Sequence, residues 1–302
     1  MNGTRRAGLE GFLNIVKPYG WTCHDVVQLV RRLTGVRRVG HAGTLDPAAA
    51  GVLLVAVGRA TRLVDYLADQ DKCYCGDVVL GATTDTDDAE GRVLYARDPS
   101  GTKLDQVVAA LATLLGDIDQ VPPQYSAIKL QGKKAYEIAR RGGFASLAPR
   151  RVSIKGLAVV GWEPPTLSVV VLCSKGTYIR SLARDLGEKL GVGGHLCALV
   201  RTASGSFSCS DGVGIDQLRL AAEFEYLDSL IMPTDVAVAH LPAVVVSTVH
   251  AADMAGGRRW PVADFFPKEG PVRVYSVEGE FLGLAEPRDG AWQPKLVLVT
   301  EG

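Results

Sequence analysis

The stretch Gly40-His41-Ala42-Gly43-Thr44-Leu45-Asp46-Pro47, continuing through Ala48-Ala49-Ala50 to Gly51-Val52-Leu53, decides how the rest of the 302-residue chain is read. Glycines at 40, 43 and 51 permit sharp turns and close backbone approach. Pro47 fixes φ and removes a donor directly after the single acid, so Asp46 is expected on a shaped loop. Two roles for Asp46 fit that spacing. It caps a helix starting at Pro47, where proline is favoured, or it is a carboxylate displayed for chemistry. His41 divides the same way, between a packed imidazole and a site residue.

Composition sets the bounds. A chain of this length exceeds the usual single-core range, so one large domain with a smaller appendage is expected. With 47% hydrophobic and 22% charged residues it can bury a sizeable core. No apolar run approaches a membrane span and the first ten residues lack a signal-peptide stretch, so a soluble cytoplasmic protein is expected. Six scattered cysteines fit reduced thiols, and Cys73-x-Cys75 lacks the companions of a zinc site, so no structural metal is expected. Net charge is zero, but it is segregated: residues 125–205 carry 13 Lys or Arg against 4 Asp or Glu, and residues 206–302 carry 7 against 14. Clustered cations hold phosphate backbones even when the total is neutral, although solvated helix faces look alike in sequence.

Residues 1–10 show no periodicity and are expected to be disordered. Phe12 to Val16 reads as a strand ended by a Lys17-Pro18-Tyr19-Gly20 turn. Val26, Val27, Leu29, Val30 and Leu33 then form a helical stripe closed by Gly35. Arg31, Arg32, Arg37 and Arg38 lead into the key loop as candidate phosphate contacts. Val52 to Val57 reads as a buried strand, Ala60 to Ala68 as a helix and Lys72 to Gly81 as a strand. Leu104 to Leu115 reads as a helix capped by Gly116. Arg151 to Val160 and Leu167 to Cys173 read as paired strands, and Ile179 to Leu190 as a helix that Thr177 is placed to cap. A turn and strand follow over residues 193–201, a helix over 215–230, a linker over 233–242, and then short strands at 244–247, 272–276, 281–285 and 295–299.

Gly40 to Pro47 matches Gly-His-x-Gly-x-Leu-Asp-Pro at every fixed position, and so resembles the signature loop of the TruB-type tRNA pseudouridine synthases. Three further stretches are similar to motifs of that family. They are Lys17-Pro18-x-Gly20-x-Thr22, with Cys23 where a serine is expected; Gly116 to Gly142, including Pro122-Pro123-Gln124-Tyr125-Ser126 and Lys129; and Ser174-Lys175-Gly176-Thr177-Tyr178-Ile179-Arg180 to Gly187. The resemblance covers most of residues 11–211 and weakly the tail, which resembles the small β-barrel RNA-binding module called PUA. It implies a mixed α/β catalytic domain over 11–232 with a mostly antiparallel central sheet, and a PUA-like domain over 240–302. It implies Asp46 as catalytic carboxylate, Arg180 as its ion partner and Tyr74 as the base-stacking aromatic. His41, Tyr178, Leu199, Lys17, Arg201 and Lys129 would be substrate-binding. The implied partner is the T stem-loop of tRNA, whose position-55 uridine is isomerised without metal or cofactor by a chain expected to be monomeric.

Two other classes compete. Asp85-Thr86-Asp87-Asp88-Ala89-Glu90 could serve a metal-dependent hydrolase, but Ala96 stands where a calcium loop needs Glu. An RNA-binding module with a dead site would leave Asp46 dispensable.

Overall fold

The computed structural model describes residues 9–126, 128–130, 132–143, 145–261 and 269–299, with the backbone alone for Lys129, Lys133, Lys134 and Arg140. The expected disorder of residues 1–8 lies outside that range. Leu9 already packs on the core and Glu10 pairs with Arg59. β1 (Gly11–Lys17) is buried on both faces, which explains its near-continuous apolar run. In α1 (Cys23–Thr34), Thr22 accepts from the Asp25 amide while the Asp25 carboxylate accepts from the Thr22 amide. This closed capping box makes a serine at position 23 unnecessary for the helix start. Arg31, a candidate phosphate contact, donates to the Val39 carbonyl.

β2 (Val39–Ala42) and β3 (Ala49–Val57) are the arms of a hairpin whose connection carries Asp46. No helix begins at Pro47. The Ala49 amide bonds the Asp46 carbonyl at 3.0 Å and the chain enters β3 at once. The strand starts before the Val52–Val57 run because Ala49, Ala50 and Gly51 pair in parallel with Leu199, Val200 and Arg201. A 3₁₀ turn (Gly58–Leu63) and α2 (Val64–Ala68) replace the single helix expected there, and lead to β4 (Lys72–Leu80).

β5 (Ala82–Thr84) and β6 (Val93–Ala96) bracket the acidic segment. α3 (Leu104–Ala112) ends earlier than expected: Gly116 is not its cap but the first residue of β7 (Gly116–Gln120), paired with Ile154. β8 (Lys129–Leu130), β9 (Lys133–Lys134) and α4 (Ala135–Arg140) follow. β10 (Arg150–Glu163) and β11 (Thr166–Cys173) then form a long hairpin across Pro164-Pro165. α5 (Ile179–Leu190) has Tyr178, not Thr177, at its cap position, because the Thr177 hydroxyl donates to the Ser174 carbonyl. β12 (Gly194–Ser204), β13 (Phe207–Ser208) and α6 (Ile215–Glu223) complete this part, α6 giving way to a separate 3₁₀ turn (Leu227–Leu230).

The large sheet runs β1-β3-β12-β4-β11-β10-β7, with β2 beside β3 and β13 beside β12, and only the β12–β3 pairing is parallel. Val26 and Val30 of α1, Val107 and Leu111 of α3, Leu182 and Leu186 of α5 and Leu218 of α6 are buried in one core with β1, β3, β4 and β11. Each such fully buried aliphatic side chain contributes about 1.5–3 kcal/mol.

The tail forms a second sheet, β14-β16-β17-β18-β15, from β14 (Ala243–Val246), β15 (Trp260–Pro261), β16 (Val272–Ser276), β17 (Phe281–Arg288) and β18 (Ala291–Val297). α7 (Thr248–Ala255), not anticipated from sequence, packs against it. The 233–242 stretch is no free linker. Its 3₁₀ turn (Thr234–Val238) buries Ala237 and Val238 in a cluster that joins Phe12, Leu54 and Leu63 to Leu284 and Leu298 of the tail. Among the described residues no helix is long and apolar enough to cross a membrane.

Gly51 is where the β2–β3 hairpin meets β12. Its φ is +108°, and a Cβ there would lie 2.2 Å from the Arg201 carbonyl oxygen. Gly51→Ala should therefore cost more than about 2 kcal/mol in urea unfolding, from combined strain and overpacking; a cost under 0.5 kcal/mol would contradict the close approach.

Candidate active site

The loop between β2 and β3 is held from below by buried donors. Arg201 of β12, 1% exposed, donates Nε to the Val52 carbonyl at 2.8 Å, Nη1 to Thr44 at 3.3 Å and Nη2 to Gly43 at 3.1 Å. Lys17, fully buried, donates to the carbonyls of Pro18, Trp21 and Pro47. Burial pulls its ammonium below the ordinary lysine value, against the nearby Cys23 and Asp46. The Gly20 amide also bonds the Pro47 carbonyl at 2.8 Å, so the Lys17–Gly20 turn and the Asp46 loop are locked together. Cys23 adds a two-way contact: the Leu45 amide donates to its Sγ at 3.1 Å and Sγ donates to the Leu45 carbonyl at 3.3 Å. Burial raises this thiol's pKa, which keeps it a neutral donor. The substitution of cysteine for the expected serine thus preserves a donor–acceptor group next to Asp46.

Asp46 projects from that loop to Arg180, with Oδ2 2.8 Å from Nη2. The arginine is 5% exposed, and its other donors reach the Tyr125 carbonyl at 3.0 Å, the Thr86 carbonyl at 3.0 Å and the Asp88 carboxylate at 3.5 Å. Arg180 and Arg184 stand one turn apart on one face of α5. The acidic segment supplies both: Asp88 faces Arg180, and Asp87 meets Arg184 Nη1 at 2.8 Å. Asp87 has φ +60°, a left-handed conformation that aspartate tolerates better than most residues, and this lets successive carboxylates serve different arginines. Burial pushes the Asp87 carboxyl above its ordinary value, with Arg184 and Arg180 opposing. The segment read as a possible cation loop is instead committed to arginines, and among the described residues no group of three His, Cys, Asp or Glu is placed to hold a metal.

Asp46 and Arg180 open on a cleft of about 250 Å³, near the lower end of ligand sites, which run roughly 300–1,000 Å³. Tyr74, Tyr178, Leu199 and Arg201 line it too, so six of the nine expected site residues converge there. Tyr74 is buried beside Arg201, its register partner across β4 and β12, and burial raises its phenol pKa despite that charge. Tyr178 is fixed by Gln120, whose amide accepts from the Tyr178 N–H at 2.8 Å and donates to its carbonyl at 3.0 Å. Gln120 lies 58 residues away and had no signal in sequence. His41 sits on β2 outside the cleft lining, its pKa lowered first by burial and then by Arg201. Lys17 acts on the loop backbone, and the Lys129 side chain lies outside the described residues. Lys72, not anticipated, also lines the cleft, its ammonium donating to the Ala68 and Gln70 carbonyls.

A continuous mixed sheet thus carries a cleft lined by two tyrosines, at which one carboxylate is salt-bridged to a buried arginine, and likeness to known proteins places this arrangement in the pseudouridine synthase class. Three family models match in succession: TruB family pseudouridylate synthase (N terminal domain) over 31–179, tRNA pseudouridylate synthase B C-terminal domain over 180–239, and pseudouridine synthase II TruB, C-terminal, over 242–298. Relatives called tRNA pseudouridine synthase B include one from Thermobifida fusca, 46% identical over 95% of this chain and 98% of its own, and one from Synechococcus elongatus, 44% identical over 96% and 98%. The fold is similar to a chain in the crystal structure of a Cbf5-Nop10-Gar1 complex, with a TM-score of 0.74 and 26% identity over 96% of this chain and 85% of that one. The chain belongs to the TruB family of pseudouridylate synthases.

Two outcomes follow from the geometry. Cys23→Ala should lower kcat for pseudouridine formation about tenfold with RNA affinity unchanged, while Cys23→Ser retains most activity; equal rates for Ala and native would remove Cys23 from loop positioning. Lys72 is the second case: burial first, then Arg201, brings its pKa from 10.5 down to about 8. Between those values the unfolded state binds more protons than the folded one, so the penalty is complete below pH 8 and fades as pH rises toward 10.5. Relative to Lys72→Met, the native chain should gain up to about 3 kcal/mol across that window, read from paired urea titrations; a flat difference would refute the buried ammonium.

Proposed function

We propose that the chain isomerises the T-loop uridine of tRNA, position 55, to pseudouridine, with Asp46 as the catalytic carboxylate. The observation that carries this reading is the 2.8 Å pair of Asp46 with the buried Arg180 at the edge of a cleft of nucleotide scale. The relatives' printed name supplies the tRNA substrate class. The reaction breaks the bond from ribose C1′ to N1 and forms one from C1′ to C5. The C5 proton leaves and N1 ends protonated, so the atoms balance without oxidant or donor. An ionised carboxylate adds to the nucleotide, by way of the base or of C1′, and is released again. Arg180 keeps Asp46 aimed while its own charge is shared with Asp88.

A uridine inside a folded loop must leave its stack to reach Asp46. Tyr74 and Leu199 offer the flat apolar surface on which the flipped base rests, and Tyr178 closes the opposite side. His41 is proposed to face the RNA outside the cleft and Lys129 to bind it, whereas Lys17 and Arg201 act by fixing the loop from beneath. Positive charge in residues 125–205 suits the phosphate backbone, and shape rather than sequence is read around the flipped nucleotide. The 240–302 segment is proposed as a separate RNA-facing module with a minor share of affinity, given the acidic balance of the tail.

The test is pseudouridine formation on an unmodified tRNA transcript in EDTA, comparing native chain with Asp46→Asn. Product at the T-loop uridine, lost by at least 10³-fold in the variant (about 4 kcal/mol) while tRNA still binds, is expected. A native chain that makes no product, or a variant that keeps pace with it, overturns the reading.

A further inference from the structure

Ser126 is the one cleft-lining hydroxyl among the described residues that is buried without a hydrogen-bond partner. It is 3% exposed, and its hydroxyl makes no well-formed hydrogen bond within the fold. Its backbone is fixed from outside: the Ser126 carbonyl accepts from the Tyr136 amide at 3.1 Å, and the preceding Tyr125 carbonyl accepts from Arg180 Nη2. The hydroxyl is therefore held against the cleft by two anchors that do not use it. The Tyr178 phenol is its polar neighbour: burial raises that phenol's pKa, and the Ser126 hydroxyl opposes the rise through a weak contact that falls short of full hydrogen-bond geometry.

A buried hydroxyl left unpaired costs free energy comparable to a lost hydrogen bond, so a fold that keeps one at its site invites a ligand to complete it. The surroundings select the kind of ligand atom. Ile179 and Arg180, the first two residues of α5, line the same cleft, and that 12-residue helix begins without a side-chain cap. Its unpaired amides and the Arg180 guanidinium make this wall positive, which favours an electron-rich oxygen over a donor.

We propose that Ser126 is a substrate-contacting residue, donating its hydroxyl to an oxygen of the flipped nucleotide beside the first turn of α5. This rests on the pseudouridine synthase reading of the cleft. Three oxygen classes are within the chemistry of one nucleotide: a base carbonyl, the ribose 2′-hydroxyl and the backbone phosphate. In each case the contact forms only when the nucleotide is in the cleft, so the hydroxyl contributes to substrate handling and nothing to the folded state.

That asymmetry makes the test sharp. Ser126→Ala and Ser126→Thr are compared with the native chain for thermal stability and for single-turnover pseudouridine formation on a tRNA transcript. Ser126→Ala should leave Tm unchanged or slightly raised, since it removes an unpaired buried group, and should slow formation roughly tenfold, as the loss of one directed hydrogen bond does. Ser126→Thr, which keeps the hydroxyl, should recover at least part of the rate. A Tm several degrees lower for Ser126→Ala would show that the hydroxyl is bonded within the protein and would overturn the proposal. So would an undiminished rate. Failure of the native chain itself to form pseudouridine would instead overturn the function on which the proposal rests, so the two failures are distinct. The acceptor is located with transcripts carrying 2′-deoxyuridine or 2-thiouridine at the target, or a phosphorothioate 5′ to it. The substrate on which Ser126→Ala and native differ least has lost the shared contact. An equal, full Ser126→Ala defect on all three, with Ser126→Thr no better than Ala, would mean that no nucleotide oxygen is engaged.

Discussion

A buried positive charge organises this protein. Arg180 is almost wholly withdrawn from water, and leaving a buried charge unpaired costs about 3–5 kcal/mol. The fold answers with two carboxylates and two carbonyls drawn from three separate parts of the chain: Asp46 from the β2–β3 loop, Thr86 and Asp88 from the acidic segment, and Tyr125 from the stretch after β7. Each of those segments must be in place for the two Nη groups to be paired; the buried Nε has no partner of its own. The geometry of the cleft and local stability therefore rest on the same set of contacts. Asp46 is the most exposed of the two carboxylates, which leaves it the one free to meet a substrate while Asp88 stays with the arginine.

The second constraint is backbone support for a loop with little side-chain packing of its own. Gly43, Thr44, Leu45 and Pro47 offer carbonyls that a small-residue loop cannot pair internally, and Arg201, Cys23, Lys17 and the Gly20 amide take them. Long cationic side chains reach under the loop because their heads are polar and their stems pack. Gly51 lets β3 approach β12 closely enough for Arg201 to do this from beneath. Preorganisation of this kind matters because a misplacement of about 1 Å at a reacting group can cost about 10²-fold in rate.

The elements misread in sequence share a cause. Gly116 looked like a helix stop because a glycine after an apolar helical run usually is one; here the chain had already turned, and the glycine serves a strand partnered 38 residues later, at Ile154. Residues 233–242 read as a linker because prolines bracket them, yet Ala237 and Val238 fill a core shared by the two sheets. Thr177 read as a cap, but its hydroxyl is taken by the Ser174 carbonyl. In each case a local preference was real and a long-range partner outweighed it.

The sequence by itself determined the family and the mixed fold, because the Gly40–Pro47 octet, the Lys17–Thr22 turn, the Gly116–Gly142 stretch and the Ser174–Gly187 stretch are local patterns whose spacing survives in one dimension. Only the tertiary structure decided what each residue does for the others. That Cys23 braces Leu45, that Gln120 clamps Tyr178 and that the acidic segment feeds arginines are facts about partners tens of residues apart. Hydrogen bonds and ion pairs act over about 3 Å in space, a distance that chain order does not encode.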